Sequence, residues 1–265
     1  MKLYNLKIRR KFLHLIWATM FITLSVGMYS CKKPGVTYET FEASNLRVIN
    51  GLTGPTKNVK FYLDSFNLSL TGTLNYGGVS AYWVVKTGIK SASLYNTTTK
   101  ETFAKKDIQL DSKKSYTLFI ADTLGSPKYF LTEDNLSQPA SADKAKVRLA
   151  NLAKTGGNVD VTFQLFDNRT IPQYPPGPEV TVYTNVPAQT IADYKLITVP
   201  TSKGNTSPQL YTIRVYETGT NNLLTFTNGA DLRGPATYTI VVRGVKNGTA
   251  PYGLAITTNL EWLDW

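Results

Sequence analysis

Leu46-Arg47-Val48-Ile49-Asn50 and Val147-Arg148-Leu149-Ala150-Asn151 are two versions of one short phrase, 101 positions apart. Outward from them the same landmarks recur in the same order. Asn58-Val59 and Asn158-Val159 each open a strand-like run after a turn containing Gly or Thr. Leu94-Tyr95 matches Val215-Tyr216, and Leu110 stands ahead of Tyr116-Thr117 just as Leu232 stands ahead of Tyr238-Thr239. Chance similarity between β-rich segments does not readily keep order over such a length, so the chain reads as an internal duplication.

The material of each copy is β. Short apolar and β-branched runs alternate with clusters of Gly, Asn, Ser, Thr and Pro: 46–50, 58–64, 81–87, 91–97, 115–122 and 128–132 in the first copy. Strands at this spacing, without helical periodicity, predict an all-β fold of two tandem antiparallel β-sandwich, Ig-like domains. Tyr116–Ala121 and Tyr238–Gly244 hold enough consecutive apolar residues to be central, well-covered strands. The expected organisation is a signal peptide over 1–30, a lipidated tether over 31–44, a first sandwich over 45–138, a linker over 139–144 and a second sandwich over 145–265. About 100 residues is enough for each to bury a core of its own.

This order of landmarks (Arg-Val or Arg-Leu with Asn closing the first strand, Asn-Val beside the second, a Tyr ahead of the middle strands and Tyr-Thr near the end) resembles domain of unknown function 4397. That domain is common, often in tandem, in secreted and lipid-anchored proteins of Bacteroidota. The likeness spans most of residues 45 to 258. It implies a β-sandwich and an envelope location, and it brings no catalytic residues with it.

The N-terminus supplies the location. Lys2, Lys7, Arg9, Arg10 and Lys11 come with no acidic residue, and Leu13 to Val26 is a mostly apolar stretch of 14 residues. A membrane span needs roughly 20, so this pattern describes a secretory signal. Residues 8–14 also resemble a twin-arginine export pattern, although basic residues are expected in any signal's first segment. Gly27-Met28-Tyr29-Ser30-Cys31 resembles a lipobox, in which cleavage leaves an acylated cysteine at the new N-terminus; the alternative is an ordinary signal with a stray thiol. Cys31 is the single cysteine of the chain, and a free thiol in an oxidising compartment is unusual without a purpose. Lys32 is not the aspartate that retains lipoproteins at the inner membrane. The expectation is therefore an outer-membrane, lipid-anchored protein facing the periplasm or the cell surface.

Removing the signal takes His14, the single histidine, and five basic residues, so 29 against 18 becomes 24 against 18, or +6. No basic run follows Lys32-Lys33, and nucleic acid is not an expected partner. Without histidine neither a Ser-His-Asp nor a Cys-His arrangement can be built, and zinc lacks its usual ligands. Thr132-Glu133-Asp134-Asn135 is dense in carboxylates but lacks the spacing of a calcium loop and reads as a charged turn. A glycosidase pair would have to come from Asp64, Glu101, Asp107, Asp111, Glu217 or Asp231, and nothing in the sequence makes any two converge. No phosphate-binding motif occurs, so no metal or cofactor is expected.

Aromatic residues are the more informative set. Tyr62, Tyr82, Trp83, Tyr95, Tyr116, Tyr183, Tyr194, Tyr216 and Tyr238 all fall in strand patterns, where they could pack across strands or stack on sugar rings. Trp262 and Trp265 could cap the second copy or meet a partner. The second copy also carries two insertions. Leu63 to Asn75 spans 12 positions against 22 for Phe163 to Asn185, and Tyr82 to Tyr95 spans 13 against 22 for Tyr194 to Tyr216. With strands running up and down, both insertions should crown one end of that copy. Tyr174, Lys203 and Asn205 are then candidate ligand contacts, unless the insertions are neutral. Asp122-Thr123-Leu124 resembles a short O-glycosylation site, making Thr123 a candidate for modification. The functional expectation is a non-enzymatic cell-envelope lipoprotein acting as an interaction or adhesion module. The alternative is an accessory carbohydrate-binding lipoprotein of a polysaccharide-uptake system. Expected partners are the membrane, through the lipid anchor, and a glycan or envelope protein.

Overall fold

In Val59–Leu63 the residues Val59, Phe61 and Leu63 are buried and alternate with half-exposed Lys60 and Tyr62, which is the period of a strand covered on one face. The computed structural model describes residues 41–54, 59–68, 75–123, 125–154, 157–165, 177–199 and 210–261. Its first half contains β1 (Ala43–Asn50), β2 (Val59–Leu63), β3 (Phe66–Asn67), β4 (Trp83–Lys86), β5 (Gly88–Asn96), β6 (Glu101–Leu110), β7 (Ser115–Thr123) and β8 (Ser126–Glu133). The second contains β9 (Lys144–Asn151), β10 (Val159–Leu165), β11 (Glu179–Val186), β12 (Thr190–Ile191), β13 (Lys195–Thr198), β14 (Leu210–Glu217), β15 (Leu223–Asp231), β16 (Ala236–Arg243) and β17 (Ala255–Leu260). The fold is all-β, as the sequence predicts.

Each half is a pair of sheets. The first has β4-β1-β7-β8 facing β3-β2-β5-β6; the second has β12-β9-β16-β17, with β13 also on β9, facing β11-β10-β14-β15. Leu46, Phe61, Leu94 and Leu118 are among the residues that close the first core, and Leu149, Val161, Ile213 and Ile240 among those of the second. Most pairs are antiparallel, but β1 runs parallel to β7 and β9 parallel to β16. The chain therefore does not run simply up and down. It crosses between the two sheets of each half, so that the first strand of a copy lies beside its next-to-last, β1 beside β7 and β9 beside β16.

The two sheets with the parallel pairs pack against each other. Ile49, Phe119 and Ala121 from the first half meet Ala150, Leu152 and Val241 from the second in a third apolar cluster. The result is a four-layer stack forming one compact unit. This explains the sequences of β7 and β16: buried on both faces, they read as continuous apolar runs instead of alternating. Tyr116 and Tyr238 do a second, shared job. The Asp111 N–H donates to the Tyr116 hydroxyl at 3.2 Å, and the Arg233 N–H to Tyr238 at 2.8 Å. Each tyrosine thus pins the turn that feeds its own strand, which accounts for the recurring Leu…Tyr-Thr spacing.

Arg47 and Arg148, the repeated arginines, lie in this middle seam with 2% exposure each. Burying a charge without partners is prohibitive, and the partners come from both halves. Arg148 reaches Asp134 at 2.5 Å and Glu261 at 2.9 Å, and Arg47 reaches Glu261 at 3.1 Å. Thr117 and the Tyr82 hydroxyl donate to Asp134 at 2.7 and 2.6 Å. In the mirrored arrangement Thr239 and the Tyr194 hydroxyl donate to Glu261. Arg47 lies over the Tyr82 ring and Arg148 over that of Tyr194. Burial pushes the Tyr82 and Tyr194 phenols far above their ordinary range, with the two carboxylates adding and the arginines opposing. Asp134 is therefore not part of a solvated charged turn. It is a buried acceptor, and Thr132 beside it accepts from Arg148 at 2.8 Å. At the seam's margin Asp122 pairs with Lys154 at 2.7 Å and accepts from Gln189 at 3.1 Å.

Candidate functional site

With the middle layers occupied, the broad sheet faces left to solvent are the outer ones, on β3-β2-β5-β6 and β11-β10-β14-β15. On the first, Ala92 and Leu94 of β5 point to the core, so Ser91, Ser93 and Tyr95 point out, as do Lys60 and Tyr62 of β2. Tyr62 lies opposite Ser93 and Lys60 opposite Tyr95. On the other side Ser93 faces Lys105, and a register shift after Leu94 sets Tyr95 against Thr102. The two tyrosines are diagonal neighbours, within reach for aromatic side chains. Their ring centroids are 5.8 Å apart with planes at 78°. Together with Asp64, Ser93, Thr102 and Lys105 they line an open groove of about 740 Å³, within the range of ligand sites.

Asp64 anchors one end. Its carboxylate accepts the Ser91 N–H at 2.9 Å and the Lys90 ammonium at 3.1 Å. The Ser91 hydrogen bond, opposed by burial and assisted by Lys90, holds its pKa below the usual carboxylate range. Asp64 is the single carboxylate among the lining residues. Asp111, Glu217 and Asp231 are engaged elsewhere, by Tyr116, Lys246 and Arg233 respectively.

The duplication provides an internal comparison. At the positions of Tyr62, Ser93 and Tyr95 the second half has Thr162, Arg214 and Tyr216, in the same register between β10 and β14. There the face is closed by its own side chains. Arg214 donates to Gln164 at 2.9 Å and Glu179 at 3.1 Å, while Tyr216 and Thr162 donate to the other Glu179 oxygen at 3.0 and 2.5 Å. In the first half Ser93 leaves that central space empty. None of the polar ends of Tyr62, Ser93, Tyr95, Thr102, Lys60 or Lys105 is engaged by another side chain among the described residues.

A second groove, of about 550 Å³, opens between β11 and β13, with Val180, Leu196 and Tyr211 on its walls. The stems of both insertions meet there. Leu165 pairs with Tyr211, the Gly177 N–H donates to the Leu165 carbonyl at 3.1 Å, and the Tyr211 hydroxyl to the Thr198 carbonyl at 3.3 Å. The candidates Tyr174, Lys203 and Asn205 lie outside the described residues, as do Cys31, Trp262 and Trp265. Thr123 is exposed at the end of β7, paired with Ser126 across the hairpin. Of the tyrosines singled out in the sequence, the structure brings Tyr62 and Tyr95 to one open face. It sends Tyr82 and Tyr194 to the seam and buries Tyr183, whose hydroxyl donates to the Val147 carbonyl at 2.7 Å. Lys60, Ser93, Thr102 and Lys105 escaped the sequence reading. Their signal was only a strand alternation that places them beside the two rings.

Residues 44–162 match the family model described as Domain of unknown function (DUF4397). The DUF4397 match runs from β1 into β10, so it covers the groove-bearing half and ends well short of residue 258. No curated protein matches the chain. Among solved structures, a proposed cell adhesion protein from Bacteroides eggerthii is 10% identical over 84% of this chain and 97% of that one, with a TM-score of 0.25. Another from Bacteroides uniformis is 10% identical over 83% and 98%, with a TM-score of 0.26. The CBM26 module of Eubacterium rectale Amy13K, in complex with maltoheptaose, is 12% identical over 83% and 98%, with a TM-score of 0.24. Likeness of this degree carries no argument about this chain.

Proposed function

We propose that this chain is a non-enzymatic binding module of the cell envelope, anchored through a lipidated Cys31, with the outer face of β3-β2-β5-β6 as its interaction surface. The observation that carries this reading is the contrast between two equivalent faces. One is sealed by Arg214 and Glu179. The other leaves two half-exposed tyrosine rings and their neighbouring hydroxyls, with Ser93 buried between them and Thr102 exposed, without a side-chain hydrogen-bond partner among the described residues. Rigid amphipathic tyrosines set among small hydroxyl residues make good contact surfaces, because they bring large area at low entropic cost. A groove with one carboxylate, already held by Ser91 and Lys90, suits binding better than turnover. The anchor rests on the N-terminal pattern, and labelling with a fatty-acid analogue should mark the wild type but not Cys31→Ser.

The experiment for the surface is saturable binding of the purified full chain to isolated bacterial envelopes. Tyr62→Ala/Tyr95→Ala should abolish it while leaving the urea unfolding midpoint in place. Undiminished binding by that variant refutes this face as the interaction surface. The carbohydrate-binding reading is favoured over a protein partner by the same two rings, since the perpendicular pair can hold the C–H face of a sugar ring.

A further inference from the structure

The sheet face around the groove has a regular layout that narrows its ligand. Across β2, β5 and β6, one row reads Tyr62, Ser93, Lys105 and the next reads Lys60, Tyr95, Thr102. Neighbouring strands lie about 4.8 Å apart, so two rings, two hydroxyls and two ammonium groups alternate over a patch roughly 10 Å wide. Neither Lys60 nor Lys105 has an ion-pair partner among the described residues. The one carboxylate lining the groove, Asp64, is taken up by Lys90. In the second half the corresponding row holds Asp160 where the first has Lys60, and Arg214 is neutralised by Glu179. Positive charge without an ion-pair partner beside aromatic rings is thus a property of the first face alone, although Asp107 stands one row further along β6 from Lys105.

Resting on the binding-module reading, we propose that this patch binds a glycan whose pyranose rings carry carboxylates, a uronate polymer. A pyranose offers an apolar C–H face to Tyr62 or Tyr95 and equatorial hydroxyls to Ser93 and Thr102. A carboxylate at the ring's edge falls within reach of Lys105 in one row or Lys60 in the next. A neutral ligand covering the patch would strip water from two ammonium groups and return only hydroxyl acceptors, which leave their charge unbalanced. A carboxylate replaces that water with charge-assisted hydrogen bonds.

The test measures binding of the full chain to polygalacturonate, its methyl ester, alginate, hyaluronan and oligothymidylate by calorimetry at two salt concentrations. We expect saturable binding to at least one uronate polymer, weakening with salt. Tyr62→Ala or Tyr95→Ala should lower affinity about tenfold or more, the loss of one well-stacked ring. Lys60→Gln/Lys105→Gln should flatten the salt dependence, and Tyr216→Ala on the sealed face should change nothing. If polygalacturonate proves to be a ligand, methyl esterification should weaken it at least as much. Equal affinity for the ester, preference for oligothymidylate, or no binding to any of the three uronate polymers overturns the proposal. These failures leave the module reading standing so long as Tyr62→Ala/Tyr95→Ala still abolishes envelope binding. Unchanged envelope binding by that variant rejects the module reading instead.

Discussion

Replacing Arg148 with methionine tests whether the middle seam is held by charge balance. The wild-type cluster is neutral, with Arg47 and Arg148 against Asp134 and Glu261. Arg148 donates to Asp134, Thr117, Thr132 and Thr239 and lies 2.9 Å from Glu261, with its side chain 2% exposed. Burial works against its charge, but Asp134 and Glu261 outweigh it and raise the guanidinium pKa. Methionine fills much of the same volume and leaves two carboxylates, both fully buried, sharing Arg47. Removing one partner from a buried ion cluster costs about 3–5 kcal/mol, a large part of the roughly 5–15 kcal/mol that holds a domain folded. Asp134→Asn alone should also be costly, because it strands the opposite charge while keeping an acceptor for Tyr82 and Thr117. The double variant Arg148→Met/Asp134→Asn restores neutrality through Arg47 and Glu261. Urea unfolding of the four proteins should therefore show the double variant more stable than the summed single losses, by about 2 kcal/mol. Costs that add to within about 0.5 kcal/mol, or a loss below about 1 kcal/mol for Arg148→Met, would show that charge balance does not hold the seam.

Raising the pH should unfold the protein. Burial lifts the phenols of Tyr82, Tyr183 and Tyr194 far above the ordinary value and that of Tyr211 to about 12. Groups raised in the folded state contribute stability that is complete below the unfolded pKa of about 10 and is lost as pH climbs above it. Phenolate absorbance should show exposed tyrosines titrating first and a second group ionising only as circular dichroism is lost; one smooth titration of all tyrosines in a folded protein contradicts this. Gly244→Ala should cost about 1–3 kcal/mol, because its φ of +101° excludes most side chains and a Cβ there would run into the Gly253 carbonyl; an unchanged urea midpoint counts against it. Residues 42–138 and 143–265, produced separately, would expose Ile49 and Phe119 or Leu152 and Val241 and split the charge cluster. Both should self-associate or lack cooperative unfolding, and two monomeric, cooperative halves would refute an obligate seam.

Strand positions were largely legible because burial leaves a period. β2 alternates, and β7 and β16 are continuous apolar runs. The edge strand β6 escaped, since Glu101–Leu110 mixes Lys, Asp and Thr with isolated apolar residues, as a strand open on one side is free to do. The parallel pairing of β1 with β7 and of β9 with β16 was hidden too, because alternation records which face is covered and not which neighbour covers it. Arg47 and Arg148 were visible as repeat markers but not as a charge cluster, although an arginine inside an otherwise buried strand signals that partners must exist. Their acids, Asp134 and Glu261, lie 17 and 22 residues after Thr117 and Thr239, too far for spacing to reveal.

The same physics explains why the site was harder to read than the fold. The middle layers of the stack are bound by both copies at once. A change at Arg47, Thr117 or Tyr82 disturbs its own half and the mirrored one, so the duplicated phrase stays recognisable where the seam lies. The outer layers answer only to their own cores, and their solvent faces answer to neither. Tyr62 against Thr162, Ser93 against Arg214 and Lys60 against Asp160 are substitutions that no packing constraint resists. Divergence is therefore expected on the outer faces whether or not it serves a ligand. What marks the first face is its direction: the second face neutralises its charges and satisfies its hydroxyls internally, while the first leaves rings, hydroxyls and ammonium groups unspent in adjacent rows. A neutral drift of surface residues has no reason to arrange that alternation around an aromatic corner, whereas a ligand with hydroxyls, an apolar ring face and a negative charge does.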